Sequence, residues 1–284
     1  MRHIVHKKAL LLEILREIAP DSSNNTLRSW IQLGRVTVNN ERIISANQEI
    51  LPGQSVCVGP KVSFLRRGIK VLHEDEAIIV LEKPEGLLSV ATDFESKVTV
   101  HATLKSQFHN RRVYPVHRLD RETSGVMLFA YTEKARDHLK NQFERHRIDK
   151  TYFAIVEKQL PLGQGRWESY LEEDDFYYVK SVNGSQRGKL AVTHYEVLKT
   201  RHECSLLRLK PQTGRKNQLR VHCSEAGFPI VGDKKYRAAT NPFKRLCLHA
   251  QKIIFTHPYT QRRMVYATSL PNCFNFFDIN NLEV

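Results

Sequence analysis

The chain of 284 residues carries 44 Lys and Arg against 30 Asp and Glu, a formal net charge of +14, and 41% of it is hydrophobic. That length and apolar content suit one large domain or two with real cores, and they exclude a disordered chain. No apolar run approaches the ~20 residues of a membrane-spanning helix, and Glu13 interrupts the apolar start Ala9–Leu15 that a secretion signal would keep uncharged.

The five cysteines are odd in number and scattered, without a C-x-x-C pair, and the 13 histidines form neither H-E-x-x-H nor a cluster at ligand spacing. These patterns argue against a disulfide framework and against a metal site, so a reducing cytoplasm is expected. The positive charge points to a polyanionic partner, RNA or DNA first. A soluble enzyme that is merely basic is the alternative.

In chain order, Leu11, Ile14, Leu15 and Ile18 fall on one face of a helix expected over Lys7–Ala19, ended by Pro20 and the polar run Asp21–Asn25. A second short helix is expected over Leu27–Leu33, carrying Arg28 and Trp30 and closed by Gly34. Arg35–Val38 alternates like a strand, Asn39-Asn40 turns, Arg42–Ile44 returns, and Leu51-Pro52-Gly53 turns again before a strand at Ser55–Val58. Residues 1–60 carry a charge of only +2 and read as a small unit, followed by a basic linker at 61–70 and a larger domain over 71–284. In that domain, residues 77–82 and 125–131 are apolar runs of strand length. Thr132 can cap a helix with Ala135, Leu139 and Phe143 on one face, and strands follow over 151–157, 190–198 and 204–210. The fold class is therefore α+β, with a mainly antiparallel mixed sheet, flanking helices and loops, and a small α/β unit in front.

Three clusters carry chemistry. The first, Val116-His117-Arg118-Leu119-Asp120-Arg121-Glu122-Thr123-Ser124-Gly125, is a polar loop before an apolar strand, where reactive side chains are commonly displayed. Asp120 lies between two arginines that would keep it ionised, able to act as nucleophile, general base or metal ligand. Alone, an Asp before Thr-Ser-Gly is most often a turn or cap residue. The second cluster is Lys150-Thr151-Tyr152-Phe153, where Tyr152 offers a ring for stacking and a phenol for proton transfer, or is an ordinary strand aromatic. In the third, residues 211–222, Arg215, Lys216 and Arg220 surround the first turns of a helix that Gly227 closes, as an anion site or a solvated basic end. The stretch Lys199–Arg220 carries +6, the strongest local excess.

The stretches "LRSWIQLGRVTVNNERI" and "ILPGQSVCV" resemble an S4-type RNA-binding domain, whose usual Gly-Asp is Gly53-Gln54 here. In such a module, Arg28 and Arg35 would contact phosphates without reading sequence. "HRLDRETSG", "KTYFAIV" and "TGRKNQLRVH", in that order, resemble the RluA-type family of pseudouridine synthases, supported by "DEAIIVLEKPEGLLSV", "GKLAVTHYEV", "GFPIVGDKKY" and "LCLHAQKIIFTHP". The resemblance spans nearly all of 71–270. Asn217 stands where the family commonly has His, and Glu82 where Asn is usual; both departures bear on packing or RNA contacts.

The resemblance implies that Asp120 is the nucleophile, that Tyr152 packs on the target uracil and serves as a base in the last proton removal, and that Arg220 pairs with Asp120. It implies a flipped uridine in structured RNA, ribosomal RNA ahead of transfer RNA. His117, Arg118, Arg121, Thr123, Arg215, Lys216, Gln218 and Leu219 are expected at the RNA-binding surface. Isomerisation transfers no group in and oxidises nothing, so no cofactor or metal is expected, nor a membrane, and a monomer suffices. A non-catalytic RNA-binding or ribosome-assembly factor on the same scaffold and a base-excising glycosylase are the competing readings.

Overall fold

The computed structural model describes residues 2–32, 35–39, 41–43, 45–59, 63–92 and 97–278. Contacts divide the chain into two units, Met1–Ser63 and Phe64–Val284.

In the first unit, strands β1 (Arg2–Ile4), β3 (Val36–Val38), β4 (Glu41–Arg42) and β6 (Ser55–Val58) form a four-stranded sheet in the order β1-β6-β3-β4. Strands β2 (Ala9–Leu10) and β5 (Glu49–Ile50) make a separate antiparallel pair. That pairing draws Ala9 and Leu10 out of the expected helix, so α1 is confined to Leu11–Ile18, with Glu13 accepting from the Leu10 N–H at 3.0 Å. The second helix, α2 (Asn24–Gln32), begins three residues earlier than expected. The Ser23 hydroxyl accepts from the Thr26 N–H at 3.2 Å, so the polar run that ends α1 also supplies the cap that opens α2. Leu33, Gly34, Asn40 and Ile44, expected at a helix end and in a hairpin, lie outside the described residues. Leu11, Ile14 and Leu15 of α1 bury against Leu27 and Ile31 of α2 and against Val36, Val38, Val56 and Val58 of the sheet.

Of the stretch expected as a linker, 61 and 62 lie outside the described residues, and Ser63–Phe64 forms the two-residue strand β7. Beyond it, the Leu65 N–H donates to the Ile69 carbonyl at 2.8 Å around a 3-10 turn at Arg66–Gly68, and Ile69 is buried. In the second unit the elements are β8 (Lys70–Glu74), β9 (Ile78–Lys83), α3 (Val100–Gln107), β10 (Tyr114–Pro115), β11 (Ser124–Ala130), α4 (Glu133–Glu144), β12 (Asp149–Glu157), β13 (Gly163–Glu173), β14 (Val179–Val182), β15 (Lys189–Arg201), β16 (Cys204–Pro211), α5 (Gln218–Glu225), β17 (Leu248–Thr256) and β18 (Arg263–Ala267). They build one long mixed sheet in the order β14-β13-β15-β16-β12-β17-β11-β9-β8, with β10 beside β11 and β18 beside β17.

The β11–β17 pair is parallel and the neighbouring pairs are antiparallel, as the expected fold class requires. The apolar runs are continuous because β9 and β11 are covered on both faces. Ile79, Leu81, Met127 and Phe129 face a core with Val100 and Leu104 of α3, while Ile78, Val80, Val126 and Leu128 face Ala135 and Leu139 of α4. Thr132 caps α4, its hydroxyl accepting from the Ala135 N–H at 3.1 Å, as expected. Leu219 and Cys223 of α5 pack on a third core with Ile155 and Leu207.

Candidate active site

Three features of the backbone bring the second and third clusters onto the Asp120 loop. The loop 116–123 drops into β11 through Gly125, whose φ is +125° and whose Cβ, if present, would collide with the Ala250 carbonyl of β17. Strand β12 carries a bulge against β17 between Thr151 and Tyr152, a device that re-aims a side chain. Asn217 holds φ +52° and ψ +15°, left-handed values that asparagine tolerates, and so turns the chain into α5. The result is a cleft of about 470 Å³ lined by Asp120, Tyr152, Lys150, Leu219 and Arg220, with Phe143 in its wall.

Asp120 is one-fifth exposed, and its nearest guanidinium nitrogen, Arg220 Nη1, lies 3.7 Å from Oδ2. Arg220 itself is buried. Its Nε and Nη2 each donate to one carboxylate oxygen of Asp233 at 2.7 Å, a bidentate pair, and Nη1 also lies 3.5 Å from Glu122. Asp233, wholly buried, is thus the principal partner of Arg220, and Asp120 is the looser one. Burial opposes the Arg220 charge, but the Asp233 hydrogen bonds outweigh it, so its pKa rises.

The direct hydrogen-bond donor to Asp120 is Asn217. With its amide oriented to satisfy both ends, the nitrogen donates to Oδ2 at 2.8 Å and to Oδ1 at 3.2 Å, while the oxygen accepts from the Tyr236 hydroxyl at 2.9 Å. The departure from the usual His therefore falls on Asp120 itself, which corrects the expectation that it concerned packing or RNA contacts alone. The expected cage of flanking arginines also needs correction. Burial pushes the Asp120 carboxyl above the ordinary range, and Arg220 and Arg118 oppose that push, whereas Arg121 donates away to the Gly86 carbonyl at 3.1 Å.

Tyr152 lies in the cleft, and burial, reinforced by the Asp120 charge, pushes its phenol up, so it stays protonated while Asp120 is ionised. Behind the loop, Lys83 is fully buried and donates to the carbonyls of Pro84 (2.9 Å), Leu87 (2.7 Å) and Arg121 (3.0 Å), with burial pulling its pKa down to about 7.

The remaining expected residues divide. Arg118 and Arg215 are exposed beside Asp120 and at the cleft rim, with Arg215 Nε donating to the Leu190 carbonyl at 2.9 Å. Thr123 and Leu219 are buried in the lining. Lys216 pairs with Glu173.

Two residues expected on RNA line the same cleft and are also tied into the fold. His117 accepts from the Leu128 N–H at 3.0 Å and stacks on Phe143, and burial with nearby Lys150 pulls its pKa to about 3, so it faces the cleft as a neutral ring braced on β11. Gln218 donates to the Val192 carbonyl and Thr193 hydroxyl and accepts from the Thr213 hydroxyl and the Arg215 N–H, which occupies its amide fully. Arg28 and Arg35 belong to the first unit: Arg28 is exposed on α2, while Arg35 donates to the Gly59 carbonyl at 3.0 and 3.2 Å under the Trp30 ring.

Sequence reasoning missed Asp233, Asn217, Tyr236 and Lys83 as parts of this network. Asp233 and Tyr236 lie within "GFPIVGDKKY", a stretch whose charged residues look solvated until the fold buries them.

This sheet, with an aspartate loop, a tyrosine and an arginine meeting in one cleft, belongs to a defined class. Residues 77–225 match the family model described as RNA pseudouridylate synthase, and the chain belongs to that family, the RluA type that its motifs resembled. It is an isomerase that converts uridine in RNA to pseudouridine. A relative named ribosomal large subunit pseudouridine synthase D, from Neisseria meningitidis serogroup B, is 29% identical over 91% of this chain and 75% of its own length. One named tRNA pseudouridine synthase C, from Pasteurella multocida, is 36% identical over 74% of this chain and 96% of its own length. The solved structure of human RNA pseudouridylate synthase domain containing 4 superposes with a TM-score of 0.60 at 26% identity, covering 72% of this chain and 89% of that one.

Proposed function

We propose that Asp120 attacks the target nucleoside of a structured RNA, ribosomal RNA before transfer RNA, and that Tyr152 and Arg220 serve that attack. The observation that carries the reading is the Asp120 carboxylate in a cleft that Tyr152 also lines, with the Asn217 amide donating to it and the Arg220 guanidinium 3.7 Å away. A flipped uracil stacks on Tyr152, which helps offset a flipping cost of about a few kcal/mol.

The C1′–N1 bond breaks, the uracil turns, and C5 joins C1′; the proton lost from C5 is matched by one gained at N1, so nothing else enters or leaves. Attack at ribose C1′ and attack at uracil C6 both fit this geometry. The first forms an ester at C1′ that breaks when C5 joins C1′, which returns Asp120 to the carboxylate before C5 loses its proton. Tyr152, whose phenol burial and the Asp120 charge hold protonated, then serves the last step by giving its proton to N1 as it takes the one from C5.

Ribosomal RNA comes first because the large-subunit relative aligns over 91% of this chain, more than its second unit alone holds. The tRNA relative is almost wholly matched by 74% of the chain. We read the first unit as an S4-like RNA-binding module, with exposed Arg28 as its phosphate contact.

Mapping pseudouridine by chemical labelling in cells with and without the gene tests the assignment. Loss of sites in large-subunit ribosomal RNA is expected; loss confined to transfer RNA would overturn the choice of substrate. Free uracil and abasic sites in purified reactions would instead establish a glycosylase.

A further inference from the structure

Asp120, Asn217 and Arg220 also border a second, larger cleft of about 730 Å³. Arg118, Arg121, Lys216, Lys234, Lys235 and Lys244 line it. Its two other carboxylates, Glu85 and Glu122, are each held by an arginine, Arg245 at 3.1 Å and Arg220 at 3.5 Å. Lys234 and Lys244 are exposed and pair with no carboxylate among the described residues.

At the rim stands the turn that joins β13 to β14, Asp174-Asp175-Phe176-Tyr177-Tyr178. Phe176 is 89% exposed and Tyr177 48% exposed, so neither ring serves a core. The turn is nevertheless built firmly. Asp174 Oδ1 accepts from the N–H groups of Phe176 and Tyr178 at 3.0 and 2.9 Å, and the Asp174 carbonyl accepts from the Tyr177 N–H at 2.9 Å. Lys235 Nζ donates to the Tyr177 carbonyl at 2.8 Å, and Lys216 Nζ sits 5.1 Å from the Tyr177 ring, which moors the tip to the basic cleft.

We propose that this turn is a base-stacking platform. Phe176 stacks on an unpaired base near the flipped uridine, while Lys234, Lys235 and Lys244 neutralise the phosphates of that strand. An exposed phenylalanine costs solubility and gains nothing inside the protein, and a rigid tip loses little entropy when a base lands on it. Aromatic rings beside a groove of cations are the combination that single-stranded nucleic acid binds: bases on the rings, phosphates on the charges. Extruding a uridine also leaves its neighbours unstacked, which gives a nearby ring a base to hold. The inference rests on RNA being the substrate, but not on Asp120 being the nucleophile.

The test is equilibrium binding of two transcripts, a large-subunit ribosomal RNA domain and a transfer RNA, to full-length protein carrying Asp120→Asn, so that no turnover is needed. Adding Phe176→Ala is expected to raise the dissociation constant of the bound transcript about fivefold or more, as loss of one stacked base does. Phe176→Tyr should keep most of the affinity and Phe176→Leu should lose it, because a stacking face is required and not mere apolar bulk. Lys234→Ala with Lys244→Ala should lower the slope of log affinity against log salt by about one per lysine, whereas Phe176→Ala leaves that slope unchanged. Unaltered affinity for both transcripts on Phe176→Ala would overturn the platform and leave the tip to a protein partner. Failure of the nucleophile assignment would appear separately, as pseudouridine formation surviving Asp120→Asn.

Discussion

At the scale of single residues, the site depends on how a largely buried carboxylate is kept ionised. Arg220, the expected partner, is committed bidentately to Asp233 and reaches Asp120 only at 3.7 Å, so the hydrogen bonds come from Asn217. A hydrogen bond to a charged group contributes about 1.5–3 kcal/mol, so Asn217→Ala should slow pseudouridine formation about 10- to 100-fold. The direction with pH also follows. Burial already raises the Asp120 pKa, and removing the donor raises it further, so the acid limb of the rate profile should move to higher pH. Asn217→His should restore both rate and limb if a donor at this position is what matters. An unshifted limb in Asn217→Ala would show the amide to be structural only. Asp120, Tyr152 and Arg220 were legible as residue types in motifs. Asp233 and Asn217 were not, because the sequence shows neither the burial that makes a carboxylate a guanidinium clamp nor the turn of an amide toward it.

At the scale of elements, the strands were legible and the devices that aim them were less so. Continuous apolar runs identified β9 and β11, and the Thr132 cap with its helical spacing identified α4. The short strand β2 was hidden inside an amphipathic run, because its partner β5 lies some forty residues away in the chain. The β12 bulge at Tyr152 has no composition of its own. Gly125 is different: it is visible in the Thr-Ser-Gly motif, but its necessity comes from the Ala250 carbonyl across the parallel β11–β17 pair. Gly125→Ala should cost about 3 kcal/mol of stability or more, read as a lower denaturant midpoint, since both the φ of +125° and the contact exclude a Cβ. A midpoint equal to that of the parent protein would show that β11 and β17 can part without cost.

At the scale of the whole molecule, charge and burial act together. The net +14 belongs overwhelmingly to residues after 60, and the fold gathers much of it around the two clefts that meet at Asp120. The same interior holds neutral histidines: burial depresses His117 and His249 to about 3 and His222 to about 4. Each has a folded pKa below its unfolded value of about 6.5, so each contributes stability that is present above that value. It is lost progressively as pH falls from about 6.5 toward those folded values. The urea midpoint should therefore fall between neutral pH and pH ~5, and a flat midpoint across that range would contradict the burial of these rings.

The central claim is that Asp120 forms the bond that lets uracil turn. Asp120→Asn keeps the shape and removes the charge, and the measurement is pseudouridine formed per enzyme in the RNA that the native protein modifies. No pseudouridine above background is expected, with RNA still bound; formation at the native rate would contradict the claim.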